Sequence, residues 1–234
     1  RAQKNGVNTI ITIGSGFGIK ASEQAVQIAN RFTNVYATVG IHPHDAKIWD
    51  DGIQSKLFTL ASDRKVVALG EMGLDFYYEN STKDQQRRIF RRQIDIANEL
   101  ELPIVIHDRV SAGETIEILK QKDAFDHGVL FHCFSGTTDE MREIVDLGGY
   151  ISIPGIVTFK NSFQMVDVVR DVPIERLMVE TDSPFLTPEP HRGKNNEPSY
   201  LPFVIQKVAD ILKFDHQVIA DITEENAKRF FAIP

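Results

Sequence analysis

The sequence predicts an α/β fold of the (β/α)8 TIM-barrel type, and three observations carry that prediction. Short apolar runs alternate with amphipathic segments from one end of the 234-residue chain to the other. Four of those runs close on a residue able to ligate a metal ion: Glu71, His107, His132 and Asp182. In a barrel the C-terminal ends of all strands converge on one face, so residues far apart in sequence can meet there. No Pro/Gly/Ser-rich linker and no block of like charge divides the chain, so residues 1–234 read as one barrel domain.

Taken in order, strands are expected near 8–14, 35–42, 66–71, 103–107, 129–133, 150–153 and 177–182. Helices are expected near 21–32, 54–63, 83–101, 113–122, 138–147, 161–170, 200–212 and 223–231. The 83–101 segment carries Ile89, Phe90, Gln93, Ile94, Ala97 and Leu100 at helical spacing. Arg1 to Val7 read as the last turn of a helix closed by Gly6 as a C-terminal cap. A closed barrel uses eight strands, so the first strand is expected before Arg1 and is not included in this chain. A doubly wound open sheet shows the same alternation and stays as the alternative.

Composition narrows the function classes. With 42% hydrophobic and 25% charged residues the chain is ordinary for a globular protein. No apolar run nears the roughly 18 residues of a membrane span, so no membrane partner is expected. The single cysteine, Cys133, excludes an internal disulfide, and the start shows no signal-peptide pattern. Both point to a cytoplasmic protein. A net charge of −7 argues against coating duplex nucleic acid, which draws on many Lys and Arg contacts to phosphate. It leaves room for a pocket that takes one strand end, because bound metal ions add local positive charge. No obligate protein partner is evident.

The chemistry sits in short motifs. Gly70-Glu71-Met72-Gly73-Leu74-Asp75 puts a carboxylate directly after an apolar strand, with glycines that admit close approach of backbone or an ion. The two oxygens of Glu71 suit it to bridge two ions, although a strand-end carboxylate also serves as an ordinary rim ion pair. Asp75 reads as a turn or helix cap. His107 and His132 each follow a buried-looking strand, and neutral imidazole suits a divalent ion. One such histidine is usually a core residue; two at equivalent strand ends, with Glu71, shift the reading to a metal site. Asp108 and Arg109 stand next to His107, placed either to hold its tautomer, to reach a phosphate, or to form a solvated pair. Cys133, flanked by Phe131 and Phe134 across His132, reads as an inert, partly buried thiol.

Glu180-Thr181-Asp182-Ser183-Pro184 closes the last strand, placing Asp182 to ligate an ion and to take the proton of an activated water. Glu180 points to the same side but deeper, as a residue behind the site. His42 and His44 flank Pro43 at another strand end and read as substrate-facing groups. Arg192 and Lys194, in the polar loop after the last strand, are candidate phosphate contacts. No P-loop, dinucleotide fingerprint or CxxC motif is present.

With these residues in place the chain resembles the TatD family of metal-dependent deoxyribonucleases, within the amidohydrolase-type barrels. The resemblance rests on Gly40-Ile41-His42-Pro43-His44, Gly70-Glu71-Met72-Gly73-Leu74-Asp75, Ile106-His107, His132-Cys133-Phe134-Ser135-Gly136 and Glu180-Thr181-Asp182-Ser183-Pro184. It extends through Arg192-Gly193-Lys194-Asn195-Asn196-Glu197-Pro198 to Thr223-Glu224-Glu225-Asn226-Ala227. The family implies two divalent ions (Mg, Mn or Zn), held by the positions of Glu71, His107, His132 and Asp182. Glu71 bridges them, and a His-x-His pair on a first strand outside this chain completes the second site. Glu71 and Asp182 are then the catalytic residues, and His42, His44, Arg109, Arg192 and Lys194 bind substrate. The implied activity is phosphodiester hydrolysis by metal-activated water at DNA strand ends, from the 3′ end of single strands, in repair or degradation. The same machinery also fits an esterase such as a D-aminoacyl-tRNA deacylase. A catalytically impaired barrel acting as a binding module is the third reading.

Overall fold

The computed structural model describes residues 1–234 and shows the expected alternation. Its elements are β1 (Ile10–Gly14), α1 (Ile19–Arg31), β2 (Val35–Val39), α2 (Asp51–Ala61), β3 (Val66–Asp75), α3 (Lys83–Glu99), β4 (Ile104–Arg109) and α4 (Ala112–Gln121). They continue with β5 (Val129–Phe131), α5 (Thr138–Asp146), β6 (Tyr150–Ile153), α6 (Phe163–Asp171), β7 (Leu177–Val179), α7 (Leu201–Leu212) and α8 (His216–Phe231). Helix α8 starts well before the expected 223, because the Asp215 carboxylate accepts the Gln217 N–H at 2.8 Å and caps an earlier turn. No helix is long and apolar enough to cross a membrane.

The chain forms two compact units. The first comprises Thr9–Phe131 with Phe231–Ile233. In it β1 to β5 pair in parallel and in chain order, with Ile10 opposite Val35, Thr38 opposite Ala68, Leu69 opposite Ile104 and Ile104 opposite Val129. Strand β3 is covered on both faces, which is why Val66 to Leu69 is uninterruptedly apolar. Val39, Leu69, Met72, Leu74, Ile94 and Ile106 have no exposed surface and form the centre of its core. Helix α3 starts at a reciprocal capping box between Thr82 and Gln85, which satisfies two otherwise unpaired N–H groups.

Strand β3 also runs past its expected end at residue 71 to Asp75, and it contains an irregularity at Glu71. Gly70 pairs with Val105 while Met72 pairs with the next residue, Ile106, so Glu71 is the extra residue of a bulge. A bulge re-aims a side chain without ending the ladder, and pairing resumes with Gly73 opposite His107 and Asp75 opposite Arg109. The close approach of β4 depends on glycine: a Cβ on Gly73 would lie 2.0 Å from the His107 carbonyl oxygen, and its φ is +145°.

The second unit comprises Arg1–Asn8, His132–Phe230 and Pro234. Strands β6 and β7 pair in parallel from Ile151 opposite Leu177 to Ile153 opposite Val179, and Glu180 N–H extends the ladder to the Ile153 carbonyl. Met141, Ile144, Met165, Val168, Val204, Val208 and Ile219 pack the helices of this unit. Buried Asn226 donates to the carbonyls of Ile174 and Leu177, each at 2.8 Å, and so pins α8 beneath the start of β7. Residues Ala2–Asn5 form a 3-10 turn closed by Gly6 at φ 80°, the helix-terminus geometry expected of that glycine.

Gly73→Ala is expected to cost roughly 2–5 kcal/mol, combining backbone strain with overpacking against His107. Urea denaturation followed by far-UV circular dichroism measures it. An unchanged midpoint would show that β3 and β4 can separate at this point.

Candidate metal centre

In the first unit, the segment after β2 and the C-terminal halves of β3 and β4 bring His42, His44, Glu71, Asp75 and His107 together. Two buried glutamines on α3 hold the backbone that carries them. The Gln93 side chain accepts the Ile41 N–H at 2.7 Å and donates to the Ile41 carbonyl at 3.0 Å, fixing the residue before His42. One heptad earlier on the same helix face, Gln86 accepts the Asp75 N–H at 2.8 Å and donates to the Asp75 carbonyl at 2.9 Å. Each glutamine replaces a ladder partner that the irregular backbone lacks.

The donor atoms of His42, Glu71 and His107 all lie within 4.8 Å of one another. His107 Nδ1 is 2.7 Å from Glu71 Oε1, and His42 Nε2 is 3.3 Å from His107 Nδ1 and 3.5 Å from Glu71 Oε1. On its far side His107 Nε2 meets Asp75 Oδ2 at 3.1 Å, and Ser15 Oγ donates to Glu71 Oε2 at 3.1 Å. His107 therefore lies between two carboxylates. A neutral imidazole has one N–H for the two of them, so the contact between Nδ1 and Oε1 calls for one more positive charge, a proton or a cation. With Nε2–H donating to Asp75, Nδ1 carries the lone pair and faces Glu71. That is the donor arrangement of a metal-ligating histidine backed by a carboxylate. The set fits a divalent ion.

Hydrogen bonding separates His42 from the ligands. Its Nδ1 accepts the His44 backbone N–H at 3.2 Å, which leaves the ring proton on Nε2. Burial pushes the His42 pKa below its ordinary value, and the hydrogen bond and charge of Glu71 offset this only in part. The ring is thus neutral near pH 7, and its Nε2–H is a donor toward the cluster. His44 is turned elsewhere: its Nε2 lies 2.8 Å from Asp75 Oδ2.

Asp75 does more than the turn cap expected of it. Its Oδ1 accepts the N–H groups of Tyr77 and Tyr78 at 3.0 and 2.9 Å, while Oδ2 receives both imidazoles. Burial raises the cost of its charge. The hydrogen bonds from His107, the Tyr78 N–H and His44 outweigh that cost, and the pKa is held well below the ordinary carboxylate range. Strand alternation gave no signal for this role, because the bulge at Glu71 breaks it. Nothing in the sequence marked Ser15.

Asp108 turns away from His107, because alternate strand residues face opposite sides. Its Oδ1 accepts from Ser111 and from Thr115 at 3.0 Å, at the start of α4. Arg109 lies over the rings of Tyr77 and Tyr78, with Cζ 4.5 and 4.7 Å from their centroids.

In the second unit, His132 directly follows the end of β5, and its Nδ1 lies 3.1 Å from Glu180 Oε1. This is a second carboxylate-oriented imidazole, with Nε2 as the lone-pair nitrogen. Glu180 thus takes the supporting position expected of it. Asp182 stands three residues beyond β7 in the left-handed conformation, φ 54°, and its carbonyl accepts the Phe185 N–H at 2.9 Å. The loop behind it is tied down by buried Asn196, which donates to the carbonyls of Thr181 and Phe185, each at 2.6 Å. Arg192 and Lys194 are exposed on this loop; Arg192 Cζ sits 3.8 Å from the Phe159 ring centroid, and the Lys194 carbonyl accepts from Thr187 at 2.6 Å. Cys133 is half-buried with φ 47°.

Parallel β/α alternation with imidazole and carboxylate donors at its strand ends defines a metal-dependent hydrolase of the TIM-barrel class. The family model for TatD related DNase matches residues 1–232. The metal-dependent hydrolase YabD of Bacillus subtilis is 41% identical over 233 residues, covering 100% of this chain and 91% of the relative. The 3′-5′ ssDNA/RNA exonuclease TatD of Salmonella typhimurium is 34% identical over 239 residues, covering 100% of this chain and 91% of the relative. The crystal structure of YjjV, a TatD homologue from Escherichia coli K12, matches with a TM-score of 0.92 at 26% identity, over 100% of this chain and 90% of that one. The chain belongs to the TatD family of metal-dependent hydrolases.

Variants of Gln93 and Asp75 test the support of this centre. Gln93→Leu strands both backbone groups of Ile41 and is expected to cost about 2–4 kcal/mol, read by urea denaturation. Asp75→Asn must turn its amide NH2 toward either the two tyrosine N–H groups or the two imidazoles, and is expected to weaken Mn2+ binding about 10–100-fold. Because the folded pKa of Asp75 is depressed, its charge stabilises the fold above the ordinary carboxylate pKa. That contribution fades as pH falls below about 4. The stability gap between wild type and Asp75→Asn is therefore constant from neutral pH down to about 5 and shrinks in acid. A gap that widened in acid would reverse the assignment.

Proposed function

We propose that this protein is a divalent-metal-dependent exonuclease that trims single-stranded DNA from the 3′ end. The observation that carries the reading is Glu71 beside the lone-pair nitrogen of His107, whose other ring nitrogen is backed by Asp75, with the His42 ring alongside as a donor. The exonuclease name of the Salmonella relative supports the substrate class. Glu71, His107, His132 and Asp182 are the residues that would hold the divalent ions by the family resemblance; Mg, Mn or Zn would suit such donors. When bound, the ions supply Lewis acidity at the phosphodiester and make water a stronger nucleophile.

The chain's own residues supply the rest. Hydrolysis forms a bond from water oxygen to phosphorus, breaks the P–O3′ bond and moves one proton off the water. Asp182 takes that proton, and the departing 3′-oxygen takes one from solvent to leave as a hydroxyl. His42, held as its Nε2–H tautomer, donates a hydrogen bond to an anionic phosphate oxygen, which gains charge along the reaction. His107 keeps its orientation through Asp75. Arg109, Arg192 and Lys194 contribute positive charge to an otherwise acidic surface, and His44 lines the approach from its place on Asp75. We assign the whole chain to one hydrolase domain acting in the cytoplasm, without an obligate protein partner.

The test is nucleotide release from a 3′-labelled single-stranded DNA oligomer in Mg2+ or Mn2+. Glu71→Ala is expected to lower the rate by at least about a thousandfold while leaving the far-UV spectrum unchanged. Retained trimming in that variant would remove Glu71 from the reaction. Turnover of a D-aminoacyl-tRNA in place of DNA by the wild-type protein would move the substrate to the carboxylic ester class.

A further inference from the structure

Directly beside the His44, Asp75 and His107 set, the chain exposes two adjacent aromatic rings that lie outside its core. Tyr77 is 62% exposed and Tyr78 54% exposed. Their rings stand perpendicular, 87° apart with centroids at 4.8 Å, and Tyr78 also makes an edge contact with His44 at 5.6 Å. The exposed Arg109 guanidinium lies over both rings, at 4.5 and 4.7 Å. A solvent-facing pair of tyrosines costs exposed apolar surface and contributes little to a core.

The preceding residue shows what a purely structural version looks like. Phe76 is half-buried, and the cations over it, Lys83 and Arg87, are both paired: Lys83 with Glu79 at 3.3 Å and Arg87 with Glu114 and Asp84. Arg109 makes its contacts to the two tyrosine rings and none to a carboxylate. Its charge is therefore available to an anion, while the exposed ring surface is available to a flat, polarisable group. A nucleotide at the end of a single strand presents both, a phosphate and a base, and every base has a π-face.

The backbone fixes this patch to the metal centre. The N–H groups of Tyr77 and Tyr78 bind Asp75 Oδ1, while Oδ2 of the same carboxylate holds His107 and His44. The backbone that carries the rings is therefore tied to the same carboxylate as a candidate ligand. We propose that Tyr77 and Tyr78, with Arg109 between them, form a stacking platform for a base near the end of a single-stranded nucleic acid and so place its terminal phosphodiester at the metal centre. The inference rests on the nuclease reading and adds to it a reason for preferring unpaired strands, since a base within a duplex offers no open face.

The experiment compares steady-state trimming of a single-stranded DNA oligomer with that of the same oligomer carrying abasic residues at its 3′ end, in Mn2+. Wild type is expected to favour the base-bearing end. In the Tyr77→Leu/Tyr78→Leu variant KM for the base-bearing oligomer is expected to rise about tenfold with kcat within about twofold, and the preference over the abasic end to collapse. Tyr77→Phe/Tyr78→Phe keeps the rings and is expected to restore the preference; Mn2+ binding is expected to be equal in all forms. If the double Leu variant discriminates base-bearing from abasic ends as wild type does, or if Phe fails to rescue, the platform is overturned. Wild-type protein that trims no nucleic acid at all would overturn the nuclease reading itself, a result distinguishable from failure of the platform alone.

Discussion

The first unit is organised around the carboxylate of Asp75. It has no exposed surface, and an ionised group in that position must be fully paired or it would take up a proton. Its pairing is complete on both oxygens: two backbone N–H groups of the following turn on one, two imidazoles on the other. One buried charge thus fixes the path of the chain after β3, the orientation of His107 and the resting place of His44. Hydrogen bonds to a charged group contribute about 1.5–3 kcal/mol each, enough in sum to offset the cost of burial.

The backbone around that carboxylate is irregular, and the irregularity is managed from one helix. The bulge at Glu71 shifts the β3 register by one residue, and the segment after β2 leaves the ladder before His42. Gln86 and Gln93 on α3 supply the missing partners for Asp75 and Ile41. Gly73 lets β4 come close enough for His107 to face Glu71. A rigid helix with two amide arms thereby sets the relative positions of His42 and Asp75.

Both histidines assigned as ligands use the same physical device in opposite senses. His107 gives Nε2 to Asp75 and presents Nδ1, whereas His132 gives Nδ1 to Glu180 and presents Nε2. In each case the carboxylate fixes the tautomer and raises the basicity of the other nitrogen. His42 falls outside the pattern, because a backbone N–H rather than a carboxylate occupies its Nδ1. That difference makes it a proton-bearing donor, although its ring lies as close to Glu71 as a ligand would.

The sequence by itself determined the α/β class of the fold and the residues from which the candidate site is built. Apolar runs such as Val66–Leu69 alternate with amphipathic segments such as α3, and Glu71, His107, His132 and Asp182 lie in the C-terminal part of a strand or just beyond it. Gly6 and Gly73 fit the places where a positive φ or a close backbone approach is needed, since glycine meets both at least strain. What only the tertiary structure decided was which atoms meet. Strand periodicity says which side a residue faces but is broken by a bulge, so the extension of β3 to Asp75 was not legible. A glutamine on an apolar helix face reads as an imperfection until the backbone it satisfies is seen. The tautomers of His42 and His107, the turning of Asp108 toward Ser111 and the seating of Arg109 on Tyr77 and Tyr78 all depend on partners distant in sequence. Hydrogen bonds are short and directional, and a one-dimensional pattern fixes the face of a residue but not the partner it will find there.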